Sequence, residues 1–156
     1  MQINSKREMR HFNFFSTSIN KLTKRKSKND GAPLVSVVTV CNEKSNSEFI
    51  LEMLKSLQNQ TFPYWEWIIV TNTKKVFLDN KLLKNNQIKL IKSKYNSVQD
   101  AKLTGIKESS TDLIFYFEEN DLIDKTLLEC GYFSMLLNKE ADFAYSYTVE
   151  FGKKID

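Results

Sequence analysis

The segment Leu34-Val35-Ser36-Val37-Val38-Thr39-Val40 is an almost unbroken β-branched run, entered through the turn formers Asn29-Asp30-Gly31-Ala32-Pro33. A strand with one wet face alternates apolar and polar residues. A continuous run such as this one fits a strand covered on both faces, as in a parallel sheet. Three further runs follow: Trp65-Glu66-Trp67-Ile68-Ile69-Val70, Ile88-Lys89-Leu90-Ile91 and Leu113-Ile114-Phe115-Tyr116-Phe117.

The intervals between these runs read as helical. Ser45 offers an N-cap with Glu48 three residues later, a capping box. Phe49, Ile50, Met53, Leu54 and Leu57 then recur as one apolar stripe, and Pro63 requires that this helix has ended. A weak helical patch from Val76 to Leu83 precedes the third run. Residues 98–108 are predicted helical, with Gly105 tolerated inside at about 1 kcal/mol relative to Ala. Asp124 is placed to cap a helix running to about Lys139 that carries Leu127, Leu128, Met135 and Leu136. The end alternates, with Phe143, Tyr145, Tyr147, Val149 and Phe151 on one face, and predicts a half-exposed strand. Strands alternating with helices predict a mainly parallel α/β sheet in three layers, wound by right-handed crossovers.

Charge divides the chain. Its formal net charge is +4, yet residues 1–30 carry Lys6, Arg7, Arg10, Lys21, Lys24, Arg25, Lys26 and Lys28 against Glu8 and Asp30, which leaves the rest slightly acidic. Residues 1–32 therefore read as a basic, flexible arm and residues 33–156 as the folded domain. The arm is either a solvated lead-in or a contact for anionic lipid, which would make the protein peripheral to the inner face of a membrane. No exposed basic-aromatic pattern follows it, so nucleic acid is not an expected partner. Cys41 and Cys130 are far apart and His11 is the one histidine. A zinc site of four N or S ligands is thus nearly excluded, and two lone thiols suit a reducing, cytoplasmic compartment. No apolar run approaches the roughly 20 residues that span a bilayer.

Parallel α/β sheets bind ligands beyond the carboxyl ends of their strands. The residues there are Cys41-Asn42-Glu43, Thr71-Asn72-Thr73 and Glu118-Glu119-Asn120-Asp121. The last group has two readings. Its acids and amide would repel one another unless solvent, a cation or a hydroxylated ligand shared the space, and oxygen donors suit Mg²⁺ or Mn²⁺. Equally, it is a polar loop leading into the next helix, with acids near that helix's positive end.

The order of segments resembles the start of a family 2 glycosyltransferase with the GT-A, Rossmann-like fold. The likeness opens at Pro33-Leu34-Val35-Ser36-Val37-Val38-Thr39-Val40-Cys41-Asn42-Glu43 and continues through Ser56-Leu57, Asn59-Gln60-Thr61 and Trp65-Glu66. Ser97-Val98-Gln99-Asp100-Ala101-Lys102-Leu103-Thr104-Gly105-Ile106 is similar to a helical stretch of many members. Phe117-Glu118-Glu119-Asn120-Asp121 occupies the place of the Asp-x-Asp signature. The likeness covers residues 33–151.

That resemblance implies a nucleotide-diphospho-sugar donor, UDP-linked, and inverting transfer to a glycan, lipid-linked or cell-surface polysaccharide acceptor. It implies nucleotide-sugar contacts at Asn42, Glu43, Thr71, Asp100, Glu118 and Asn120, and a divalent cation at Asn120 and Asp121. The chain departs from the pattern at Thr71, where members carry aspartate, at Glu118 for the first signature carboxylate, and at Asn120 for the second. A neutral amide oxygen holds a divalent cation more weakly than a carboxylate. The general base is expected beyond the C-terminus, in the acceptor half, and Asp142 and Glu150 read as ordinary surface acids. The departures motivate a different class of reading, a degenerate GT-A domain acting as a binding or scaffold module.

Overall fold

The computed structural model describes residues 31–74, 78–79, 82–138, 140–144 and 146. Residues 1–30 of the basic arm, residue 75, residues 76–77 and 80–81 of the weak helical patch, residue 139 at the expected end of the last helix, and residues 145 and 147–151 of the closing strand lie outside the described residues. Within them, Leu82 N–H and Leu83 N–H both donate to Asp79 O, so the end of that patch is a turn rather than a regular helix. Phe143, Ala144 and Ser146 are not in a strand.

Four parallel strands form one sheet in the order β3-β2-β1-β4: β1 (Val35–Cys41), β2 (Trp65–Thr71), β3 (Ile88–Lys92) and β4 (Ile114–Tyr116). Both interior strands behave as their apolar runs predict, and every residue of β2 is buried. Val40 is the one residue of β1 that is not fully buried. Alternation sorts the side chains into two cores. Val35, Val37, Trp65, Trp67 and Ile69 face α1 (Ser47–Gln58) and α3 (Leu127–Leu137), whereas Val38, Ile68 and Val70 face Ala101 of α2 (Val98–Glu108). The result is the expected α/β/α stack.

Two glycines set how closely the helices approach. A Cβ on Gly105 would lie 2.4 Å from Val38 Cγ1, and one on Gly131 would lie 2.5 Å from Phe115 Cζ. Gly105 therefore does more than survive in a helix; it lets α2 rest directly on the sheet.

Four local expectations need correction. The N-cap of α1 is Asn46, whose side chain accepts from Glu48 N–H. Ser45 is buried instead, with its Oγ accepting from Asn42 N–H at 2.8 Å. Ser and Asn are both good caps, and the pull of the β1 turn on Ser45 decides between them. Phe49 leaves the apolar stripe and is 42% exposed, while Ile50, Met53, Leu54 and Leu57 are buried. Asp124 accepts from Thr126 N–H and Oγ1, which makes a turn one step before α3 rather than a cap on it. Gln60 takes over: its Oε1 accepts from Leu128 N–H and its Nε2 donates to Asp124 O at 2.8 Å, joining the end of α1 to the start of α3. Finally, β4 is an edge strand of three half-buried residues, less covered than its apolar sequence predicts.

Far from the strands' carboxyl ends, Glu66 is 2% exposed at the start of β2. Its Oε1 accepts from Ser36 Oγ at 2.6 Å, Ser110 N–H at 2.6 Å and Ser110 Oγ at 2.8 Å; its Oε2 pairs with Lys89 Nζ at 2.7 Å. Burial works to raise the Glu66 pKa, but Lys89, Ser36 and Ser110 outweigh it and hold the carboxyl below its ordinary value. One side chain thus fastens β1, β2, β3 and the connection from α2 to β4.

Candidate active site at the carboxyl edge of the sheet

Because all four strands are parallel, their carboxyl ends share one edge. The order places β2 on one side of β1 and β4 on the other, so the chain changes direction about β1. In open α/β sheets such a switch point opens a crevice beyond the strand ends. Helix α2 follows β3 and begins at the same edge, where Ser97 Oγ accepts from Asp100 N–H and caps it.

The segments after β1 and β2 are tied together. Glu43 accepts a hydrogen bond from Thr73 Oγ1, and Thr73 N–H donates to Thr71 Oγ1 at 3.2 Å. Thr71 is fully buried, opposite Cys41 in the sheet register. Asn42 is exposed and folds its own turn, with Oδ1 accepting from Lys44 N–H at 2.8 Å. Tyr95, from the connection after β3, reaches across to donate to Cys41 O at 2.9 Å. Burial, then the proximity of Cys41, raise the Tyr95 phenol above its ordinary pKa against a lowering contact at Asn72.

On the other side of β1, the loop after β4 closes on itself. Glu118 N–H donates to Asp121 Oδ2 at 2.8 Å, and Asp121 N–H donates back to Glu118 O at 3.1 Å. Glu118 and Asn120 are exposed; Glu119 and Asp121 are half-buried. Tyr116, the last residue of β4, senses this loop: burial, then Glu118, Asp121, Cys41 and Glu119, push its phenol up. Cys41 feels it too. Burial first and Glu119 second raise the thiol to about 12, against a lowering bond to Ser45. A thiol held there stays protonated at neutral pH and is no nucleophile.

The residues named from sequence thus fall into three groups at one edge. Glu43 and Thr71 are linked through Thr73, with Asn42 in the adjoining turn. Glu118, Asn120 and Asp121 share the β4 loop. Asp100 is exposed in the first turn of α2, where its charge complements the helix dipole. Sequence reasoning did not single out Tyr95, Tyr116 or Lys102. Lys102 Nζ stands 3.6 Å from the centroid of the Tyr116 ring. Tyr116 closes an apolar strand and Lys102 follows Asp100 by two, but neither spacing reveals that α2 brings them together.

A divalent cation would need oxygen donors. Among the described residues, no group of three or more His, Cys, Asp or Glu side chains is arranged to hold one. Asp121 spends one oxygen on its own loop, and Asn120 offers a neutral one. These residues do not fit an ion held by protein atoms alone. Asp142 is exposed past α3, and Glu150 lies outside the described residues.

A four-stranded parallel sheet with helices on both faces and its strand order reversing about β1 is a GT-A, Rossmann-like fold. The profile described as Glycosyl transferase family 2 matches residues 36–149, and the chain belongs to that family. Among solved structures, crystals of S. aureus TarS 1-349 share the fold at 20% identity and a TM-score of 0.54, covering 69% of this chain and 32% of that one. The same protein in complex with UDP gives 21% identity and 0.54 over 69% and 32%; with UDP-GlcNAc it gives 22% and 0.51 over 69% and 31%. The chain therefore spans about a third of the length of these structures. No curated protein matched. Among the described residues, no helix is long and apolar enough to cross a membrane.

Proposed function

We propose that this chain is the donor-binding part of an inverting glycosyltransferase, taking a UDP-linked sugar for transfer to a glycan, lipid-linked or cell-surface polysaccharide acceptor. The observation that carries this reading is the meeting of three polar strand ends around β1, all inside the family match. S. aureus TarS, which shares the fold, was crystallised with UDP and with UDP-GlcNAc.

In this reading the Glu43–Thr73–Thr71 chain and the Asn42 turn receive the nucleoside, while Asp100 and the Glu118–Asp121 loop border the diphosphate and sugar. The acceptor hydroxyl attacks the anomeric carbon from the face opposite the diphosphate. The bond from that carbon to the diphosphate oxygen breaks, UDP leaves with the electron pair, and a carboxylate outside the matched segments takes the hydroxyl proton. The cation implied by resemblance, Mg²⁺ or Mn²⁺, would meet Asn120 and Asp121, which by themselves are an insufficient holder. Calorimetric titration with UDP and UDP-GlcNAc tests the reading. Saturable binding is expected, and no heat at millimolar ligand would overturn it.

A second reading is favoured by the inward turn of Asp121 and the neutral side chains at Thr71 and Asn120. Here the domain binds without catalysing and serves as a scaffold module. Its mark would be turnover that appears only when Thr71→Asp and Asn120→Asp are made together on a chain carrying an acceptor half. Turnover by the unsubstituted residues in that longer chain would dismiss it.

A further inference from the structure

The carboxyl edge of the sheet is crowded with negative charge. Glu43, Asp100, Glu118, Glu119 and Asp121 all lie there, and the proposed donor brings a diphosphate to the same place. A diphosphate brought close to carboxylates is repelled unless a cation stands between them. Among the described residues no group of three or more His, Cys, Asp or Glu side chains is arranged to hold a metal ion, which turns attention to the basic side chains at this edge.

Five lysines border this edge among the described residues. Lys44, Lys74, Lys92 and Lys94 are exposed. Lys102 differs, being half-buried with its ammonium held over the Tyr116 ring at 3.6 Å. A cation over an aromatic face is attracted by the ring quadrupole. Tyr116 is the last residue of β4 and feels the charges of Glu118, Asp121 and Glu119, so its ring keeps the ammonium on the strand that feeds the loop the functional reading assigns to the donor. A charge fixed before the ligand arrives loses little side-chain freedom on binding.

We infer that Lys102, steadied by Tyr116, is the residue that binds the diphosphate of the donor, and that it does so in place of a divalent cation. The inference rests on the nucleotide-sugar reading and deepens it. Uridine, which lacks phosphate, and UDP separate the two. The 156-residue chain is titrated with each ligand, in Mn²⁺ and in EDTA, alongside Lys102→Met and Lys102→Arg. Thermal melts and circular dichroism establish that each variant is folded.

The expected result is that UDP binds the parent chain equally in Mn²⁺ and EDTA. Lys102→Met should weaken UDP about tenfold or more, the size of one charge-assisted contact, and leave uridine affinity unchanged. Lys102→Arg should restore most of the UDP affinity. A lysine that merely neutralised the acid loop would change uridine and UDP alike, and that outcome overturns the inference. So does UDP affinity that survives Lys102→Met, or that depends on Mn²⁺ in the parent. A parent chain that binds uridine and UDP with no role for Lys102 defeats this inference alone. A parent chain that binds neither defeats the nucleotide-sugar reading and this inference with it.

Discussion

The phenol of Tyr95 donates to the carbonyl of Cys41 at 2.9 Å, across 54 residues of sequence. The bond pins the connection after β3 to the last residue of β1 at the carboxyl edge of the sheet. Tyr95→Phe keeps the ring and removes the donor. Its expected cost is about 1 kcal/mol of stability, read in urea denaturation, together with weaker UDP binding in the same preparation.

Glu66 should govern the acid limb of the stability curve. Its folded pKa is depressed, so its contribution is present above the ordinary glutamate pKa and is lost as pH falls through the folded value. Glu66→Gln is expected to destabilise the chain by about 1–3 kcal/mol near neutral pH. It should also flatten the loss of stability on acidification. Urea midpoints from neutral to acidic pH compare the two chains.

The two glycines that touch the sheet make opposite sections of the molecule sensitive to one methyl group. Gly131→Ala places Cβ against Phe115 and Gly105→Ala against Val38. Each is expected to cost about 1–3 kcal/mol by overpacking. Only Gly105→Ala should also disturb UDP binding, because α2 carries Asp100 to the carboxyl edge.

The thiols should separate cleanly by reactivity. Cys130 is exposed and Cys41 is buried, with its pKa raised to about 12. One thiol per chain should react with a disulfide reagent in the folded state and two after denaturation. Rapid labelling of both in the folded chain would show the β1 end to be open.

Asn120→Asp adds a carboxylate next to Asp121. Hard divalent ions prefer charged oxygen donors, so Mn²⁺ affinity measured by calorimetry should rise severalfold over the parent. UDP binding in the variant should become dependent on Mn²⁺.

Sequence made the regular elements legible wherever periodicity and a cap agreed. Residues 98–108 form a helix at those bounds, with Ser97 Oγ accepting from Asp100 N–H as its cap. At 45–46 two cap formers adjoin, and the choice fell to the turn after β1, whose Asn42 N–H claims Ser45. The run at 113–117 announced a strand, but its neighbours in the sheet decide how deeply it is covered, and β4 has β1 alone. The candidate site follows the same division. Polar residues at strand ends can be read in order from the sequence. The approach of Lys102 to Tyr116 or of Tyr95 to Cys41 is created by helices and connections crossing the sheet, which no local spacing records.

The contact of Gly105 with Val38 has a bearing on how such a domain could be redesigned. A helix seated backbone-to-sheet has little room to slide, so α2 is a fixed border of the carboxyl edge. Redesign at this edge falls to the side chains α2 carries and to the short segment from Glu118 to Asp121, which is held by its own two hydrogen bonds.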